Sequence, residues 1–304
     1  MLLSTQGLRA AQALTRVVPR PLASPLVRVG SLSYGRASAD TRTLVERNLR
    51  RAYGDRLDER RLGRSVDAVF ENYGRYWLDS LRLTHMDVAG IERGFRLDGV
   101  EHIASAFDAG TAPILALPHL GGWEWAAAWF TKVQGWKVAV VAERLEPPEL
   151  YEWFLDYRSQ LGMRVIPLGP AAGGEVASAL AARSIVCLLS DRDLKGDGIE
   201  VEFFGERTRI PGGPAVMALR SGAPLLPGAA FFDGDRCRGL VLPPLDTERR
   251  GRLRQDVQRV TQDLAGALET LIRMAPEQWH LLQPNWPSDY DAIGQTRPEW
   301  FREL

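Results

Sequence analysis

Residues Ile114–Phe130 read ILALPHLGGWEWAAAWF. The run Ile114–Leu117 has the length and apolar content of a buried strand. Pro118 ends it, His119 follows, and Gly121-Gly122 precede a stretch with helix composition. Strand, polar turn and helix in that order form the first part of a βαβ unit. The pattern then repeats. KVAVVAE (137–143), MRVIPL (163–168) and SIVCLLS (184–190) read as buried strands. Between them PPELYEWFLDYRSQLG (147–162) and GEVASALAAR (174–183) read as helices. This alternation predicts an α/β fold whose central sheet is largely parallel or mixed and flanked by helices.

Outward from this core, IEVEFF (199–204) reads as a further strand and GGPAVMALRSG (212–222) as a short helix stopped by Gly222. PLLPGAAFF and RGLVLPPL flank Asp233-Gly234-Asp235, a turn signal, and read as a strand pair. A long helix is expected from about Thr247 to Met274. The tail PEQWHLLQPNWPSDY (276–290) is rich in Trp and Pro and is expected to be ordered against the body. Upstream, residues 40–84 read as helical, with Val66, Val69, Phe70, Tyr73, Tyr76, Trp77 and Leu81 on one broad apolar face.

The first 39 residues differ from the rest: Arg9, Arg16, Arg20, Arg28 and Arg36 occur there with no Asp or Glu. Leu3, Gly7, Ala10, Ala11, Leu14, Val17 and Val18 share one helical face, and Pro19 and Pro21 end the pattern. This is the signature of a basic amphipathic helix suited to an anionic membrane surface. A helix packed on the body of the protein is the plainer reading. The expected organisation is a membrane-associated segment over 1–39 and a single α/β domain over 40–304.

The chain has 304 residues, with 38 basic and 38 acidic side chains. That balance gives no general attraction to nucleic acid. Only Lys132, Lys137 and Lys195 are lysines; the other basic residues are Arg, whose forked donors suit phosphate and carboxylate. Cys187 and Cys237 lie in strand-like stretches and read as buried thiols, which suits a reducing compartment. No run of about 18 apolar residues is present to span a membrane.

His119 follows a strand and precedes a helix start, where α/β sheets place catalytic groups. Glu124 falls in the first turn of that helix, whose dipole favours the ionised carboxylate. Such a pair suits a general base and its partner; a capping histidine and a surface glutamate are the plain alternative. Asp191-Arg192-Asp193 end a second strand, and Glu143 ends a third. In a parallel sheet these polar ends face one crevice, where Arg158 on the following helix is placed to pair with Glu143. Arg207 and Arg209 precede a Gly-Gly helix start, an anion-binding arrangement that lacks a P-loop lysine. Trp125, Trp129 and Phe130 are candidates to line an apolar tunnel, or simply core. Ser190 lacks a G-x-S-x-G elbow. His85, His102, His119 and His280 have no metal-ligand spacing, so no metal site is expected.

Taken in order, HLGGWE (119–124), SDRD (190–193), FFGERTRIPGGPAVMAL (203–219) and PEQWHLLQPNW (276–286) resemble the lysophospholipid acyltransferase group. ERNLRRAYG (46–54) adds similarity to its lipid A biosynthesis, lauroyl/myristoyl, type. AERLEPPELYEWFLDYRSQLGMRVIPL (142–168), DRDL, VEFFGE and EQWHLLQPNW resemble the phosphatidylinositol mannoside acyltransferases. The likeness runs from about Asp40 to Trp286 and does not cover the extreme N-terminus well. The family motif often ends in Asp where this chain has Glu124.

The resemblance implies transfer of a long acyl chain, palmitoyl, from acyl-CoA as co-substrate to a sugar hydroxyl on an anionic glycophospholipid. The expected acceptor position is the 6-hydroxyl of the mannose on inositol position 2 of phosphatidylinositol mannosides. It implies His119 as base, Glu124 within its motif, and Glu143, Arg158 and Asp191 around the site. No cofactor is implied. The expected location is peripheral, on the cytoplasmic face of the plasma membrane. Three other readings compete: the same chemistry on a lipid A precursor or another glycolipid, a hydrolase using His119, Asp191 and Asp193 with a metal, and a non-catalytic lipid-binding protein.

Overall fold

The computed structural model describes residues 5–193 and 195–301. Five helices come first: α1 (Thr5–Val17), α2 (Arg20–Ala37), α3 (Ala39–Tyr53), α4 (Glu59–Leu83) and α5 (Val88–Gly94). Then follow β1 (Phe95–Asp98), α6 (Val100–Asp108), β2 (Ile114–Leu117), α7 (Trp123–Ala128), β3 (Val138–Ala142), α8 (Pro148–Gln160), β4 (Met163–Pro167), α9 (Ala172–Ala181) and β5 (Ile185–Leu189). The last part holds β6 (Ile199–Phe203), β7 (Glu206–Ile210), α10 (Gly213–Ser221), β8 (Leu225–Asp233), β9 (Arg236–Val241), α11 (Leu253–Met274) and α12 (Pro287–Ala292).

Seven strands form one sheet in the order β1-β9-β8-β2-β5-β3-β4. Only the β8–β9 hairpin is antiparallel; every other pair is parallel. The expected α/β class therefore holds, with a mostly parallel mixed sheet. Parallel strands buried on both faces must read as continuous apolar runs, and β8 is buried at every position but its last. One face carries α9, α10 and α11, packed through Val176, Leu219, Val260 and Leu268. The other carries α4, α7 and α8, packed through Leu81, Trp125, Phe130 and Trp153.

IEVEFF does form a strand, but it belongs to a separate two-stranded hairpin with β7. Residues Glu206–Ile210, in which the sequence suggests the approach to an anion-binding helix start and no strand, alternate across that hairpin: Thr208 and Ile210 point inward and are fully buried. The long helix begins at Leu253 rather than Thr247. Asp256 accepts from the amides of Arg250 and Gly251 and fixes the preceding turn as a loop.

The predicted helical stretch 40–84 is α3 and α4. Val66, Val69 and Phe70 on α4 are buried, each burial being worth about 1.5–3 kcal/mol. The N-terminal segment is two helices, not one. Pro21 stands in the first turn of α2, where a missing N–H costs nothing. Helix α2 lies close against α4 because Gly74 has no side chain: a Cβ there would meet Ser31 Oγ at 2.0 Å. On α1, Leu8 is buried and Ala11 packs beside it, while Leu14 and Val17 of the predicted apolar face point outward. Leu3, on the same predicted face, lies outside the described residues.

Candidate active site

Strands β2 and β5 pair in parallel with Leu117 opposite Leu189. Two residues beyond each lie His119 and Asp191, so the register alone brings them together. His119 Nδ1 lies 2.6 Å from Asp191 Oδ1, and the His119 amide donates to Oδ2 at 3.0 Å. The carboxylate accepts from Nδ1–H, which leaves the Nε2 lone pair to a ligand. Asp191 is fully buried; the His119 side chain keeps 16% of its surface exposed. Burial by itself would raise the Asp191 carboxyl, but the charge of His119 and the donors His119 and Trp279 outweigh it and hold it at about 2. The carboxylate is thus ionised and accepts three hydrogen bonds, the third from Trp279 Nε1 at 2.8 Å.

The turn after His119 requires glycine at 121. Its φ is +58°, and a Cβ would sit 2.1 Å from the Ala230 carbonyl oxygen. The C-terminal tail lies across this turn, as its composition suggested. The Gly121 amide donates to Gln278 O at 2.9 Å and the His280 amide to His119 O at 2.7 Å. His280 Nε2 lies 3.2 Å from Gly121 O and donates to it. Burial drives the His280 imidazole down to about 3, so it is neutral. Its ring lies among Tyr73, Tyr76 and Trp123. Asn285 Nδ2 donates to Asp191 O at 3.0 Å.

Glu124 does not touch the imidazole. It is buried at the start of α7 and accepts from Arg158 Nη2 at 3.3 Å. Arg158 therefore pairs with Glu124 and not with Glu143, as the strand-end reading expected. α8 follows β3, yet its last turn reaches back under α7. Burial lowers the Arg158 affinity for its proton, but Glu124, Tyr76 and Tyr157 together raise it. Burial and then Glu124 push the Tyr76 and Tyr157 hydroxyls well up, so both stay neutral. Arg158 Nε has no partner among the described residues.

The other expected site residues spread out. Glu143 is half-buried beyond β3, on the far side of β5 from His119. Arg192 donates to Gln283. Asp193 accepts from the amides of Lys195, Gly196 and Gly198 and so shapes its own loop. Arg207 pairs with Glu200 across the β6–β7 hairpin, and Arg209 reaches the Gly196 carbonyl. No contact joins either arginine to His119 among the described residues. No three His, Cys, Asp or Glu side chains converge as metal ligands among the described residues.

A narrow apolar cavity of about 50 Å³ runs under α7 over the sheet, from Trp123, Glu124 and Arg158 toward Leu97 and Val241. Phe130 lines it, as expected of a tunnel residue, but Trp125 and Trp129 do not. Trp125 packs on Gly94, and Trp129 packs on Phe95 and Trp136. Sequence reading passed over Trp279, His280, Gln278 and Asn285 as site residues. Their dense cluster of polar and aromatic groups in the tail was the available signal.

The site thus joins a mostly parallel α/β sheet, a histidine held by a buried aspartate, and an apolar cavity one residue away through Trp123. The sequence profile of the bacterial lipid A biosynthesis acyltransferases matches residues 8–288. The chain belongs to that family and is an enzyme that transfers acyl groups. It is 36% identical to a phosphatidylinositol mannoside acyltransferase of Mycolicibacterium smegmatis, over 96% of this chain and 94% of the relative. It is 40% identical to the enzyme of the same description from Mycobacterium tuberculosis (strain CDC 1551 / Oshkosh), over 73% of this chain and 70% of the relative.

Proposed function

We propose that this enzyme transfers a long acyl chain, palmitoyl, from acyl-CoA to the 6-hydroxyl of the mannose at inositol position 2 of phosphatidylinositol mannosides. The His119–Asp191 pair carries this reading, with Trp123, which meets the His119 ring edge-on at 5.6 Å, lining the apolar cavity; the similarity to the two mycobacterial enzymes supports the acceptor. His119 Nε2 takes the proton of the mannose hydroxyl as its oxygen attacks the thioester carbonyl. General-base help of this kind is worth about 10²–10⁴-fold. The tetrahedral intermediate collapses, the C–S bond breaks, and the imidazolium returns its proton to the thiolate, giving coenzyme A. Asp191 fixes the tautomer and stabilises the imidazolium.

The Gly121 amide is engaged with Gln278, which leaves the Gly122 N–H as the backbone donor for the oxyanion. Glu124 and Arg158, which line the cavity, hold the sugar. The acyl chain enters beneath α7. The free volume there is on the order of two water molecules' share of liquid, so Phe130, Leu189 and Met163 must swing aside to admit it. No metal or cofactor takes part.

Residues 1–39 form the membrane-contacting part of the protein and 40–304 its acyltransferase domain. Among the described residues no helix is long and apolar enough to cross a membrane. Leu22, Leu26 and Val29 instead recur at i, i+4 and i+7 on α2 and stand exposed, as do Leu14 and Val17 of α1. That stripe suits peripheral attachment to the cytoplasmic face of the plasma membrane, where the substrates lie.

The family match favours one other acceptor, a lipid A precursor. The test incubates the purified protein with palmitoyl-CoA and either a monomannosylated phosphatidylinositol or a lipid A precursor, with His119→Ala as control. Mass spectrometry is expected to show a triacylated mannoside from the first acceptor only, absent in the variant. Product from the second acceptor alone would overturn the assignment.

A further inference from the structure

A second hollow, of about 540 Å³, opens between the α1–α2 junction, the end of α4, α5 and the β8–β9 turn. It shares no lining residue with the apolar cavity. Arg20, Arg82, Arg93 and Arg236 line it, together with Asp79, Asp87 and Asp235.

The acids are already engaged. Asp79 is buried and held by Arg20 and Arg75 at 3.3 and 3.2 Å. Asp235 lies 3.5 Å from Arg20. Asp87 caps α5 by accepting from the Gly90 amide. Of the remaining cations, Arg82 donates, among the described residues, only to the Thr15 and Val18 carbonyls. Arg93 and Arg236 have no acidic partner among the described residues. The hollow therefore carries surplus positive charge in a concave surface, which suits a phosphate.

Its rim names the source of that phosphate. Arg82 clasps the Thr15 and Val18 carbonyls at the end of α1, and Val17 and Pro19 flank Val18. Val17 is 75% exposed, and from Leu22 the exposed stripe continues along α2 with Leu26 at 74%. A membrane that receives this stripe brings its headgroups to the level of the hollow. We infer that the hollow holds the phosphate of an anionic phospholipid of the membrane itself, clamped by Arg82, Arg93 and Arg236, apart from the site of acyl transfer. This rests on the reading of α1 and α2 as the membrane-contacting surface.

Co-sedimentation of the full-length protein with vesicles tests it, using phosphatidylcholine alone or mixed with phosphatidylglycerol. A basic residue at an anionic surface is worth about fivefold in partition. Arg93→Gln with Arg236→Gln should lower binding to the mixed vesicles about thirtyfold and leave binding to phosphatidylcholine unchanged. Arg9→Gln with Arg28→Gln removes the same charge outside the hollow and should cost clearly less. Equal losses from the two pairs would overturn the site. Leu22→Ser with Leu26→Ser should weaken binding to both vesicles. A wild type that binds neither vesicle would refute the membrane surface and the site with it. Calorimetry with coenzyme A alone separates the other source of phosphate: weaker coenzyme binding by the Arg93/Arg236 pair, with vesicle binding intact, would assign the hollow to the nucleotide and overturn the inference.

Discussion

Two buried carboxylates stand at the same end of the sheet, and they are held in opposite ways. Asp191 accepts from the His119 ring, the His119 amide and Trp279. Glu124 has one hydrogen bond, from Arg158 at 3.3 Å, and that arginine's Nε is unpartnered among the described residues. The first centre is saturated and fixed; the second retains hydrogen-bonding capacity. Fixed geometry suits a base whose tautomer must not change. An unused donor beside a cavity suits a group that closes on a substrate.

The difference can be broken from either side. Asp191→Asn should cost the most, because an amide at this position permits the wrong imidazole tautomer. A loss in kcat of roughly 10³–10⁴ is expected with KM little changed, read by steady-state kinetics. Glu124→Gln leaves Arg158 buried without its counter-charge. Breaking such a pair costs about 3–5 kcal/mol, so thermal unfolding should begin at clearly lower temperature and KM for the acceptor should rise. The double variant Glu124→Gln, Arg158→Met should recover much of that stability, and a purely additive double would refute the pairing.

Trp279→Phe keeps an aromatic ring against Phe203 and Trp286 but removes the donor to Asp191. Loss of one charge-assisted hydrogen bond is worth about 1.5–3 kcal/mol, and a roughly tenfold lower kcat with a shifted pH–rate profile is expected. An unchanged profile would reduce Trp279 to packing alone.

The smallest effect concerns His280. Its folded imidazole titrates at about 3, below the ordinary 6.5. The unfolded chain therefore binds a proton below pH 6.5 that the folded chain refuses. The stabilising contribution is complete above 6.5 and is lost as pH falls toward 3. At pH 5.5 the loss is about 1 kcal/mol. His280→Gln can keep the donor to Gly121 O, and denaturant unfolding of this variant should lack that part of the acid slope.

Much of this architecture is legible in the sequence, and the parts that are not share a cause. ILALPHLGG and SIVCLLSD each declare a strand and the polar residue at its end, because local periodicity and composition suffice. Which polar ends meet is set by strand order. β5 inserts between β2 and β3, so His119 meets Asp191 while Glu143 is left beyond β5. Arg158 could be placed on a helix but not aimed, since the position of α8 under α7 depends on packing around Trp153 and Tyr157. Trp279 reaches Asp191 across 88 residues, a separation at which no spacing rule operates. The β6–β7 hairpin was missed for another reason: three charged residues in Glu206–Ile210 masked the inward alternation of Thr208 and Ile210. Helix α2 was hidden by its prolines: Pro21 is harmless in the first turn, and Pro25 stands inside the helix, where sequence rules expect a break.

The most direct measurement is a single-turnover rate of acyl transfer from palmitoyl-CoA to phosphatidylinositol mannoside, quenched and read as acylated lipid, for wild type and His119→Ala. The prediction is a chemical step slowed by about 10²–10⁴-fold, with substrate binding retained and no acyl group attached to the protein at any time. A variant rate within twofold of wild type, or an acylated protein that forms and decays ahead of the product, would contradict His119 as the base for direct transfer.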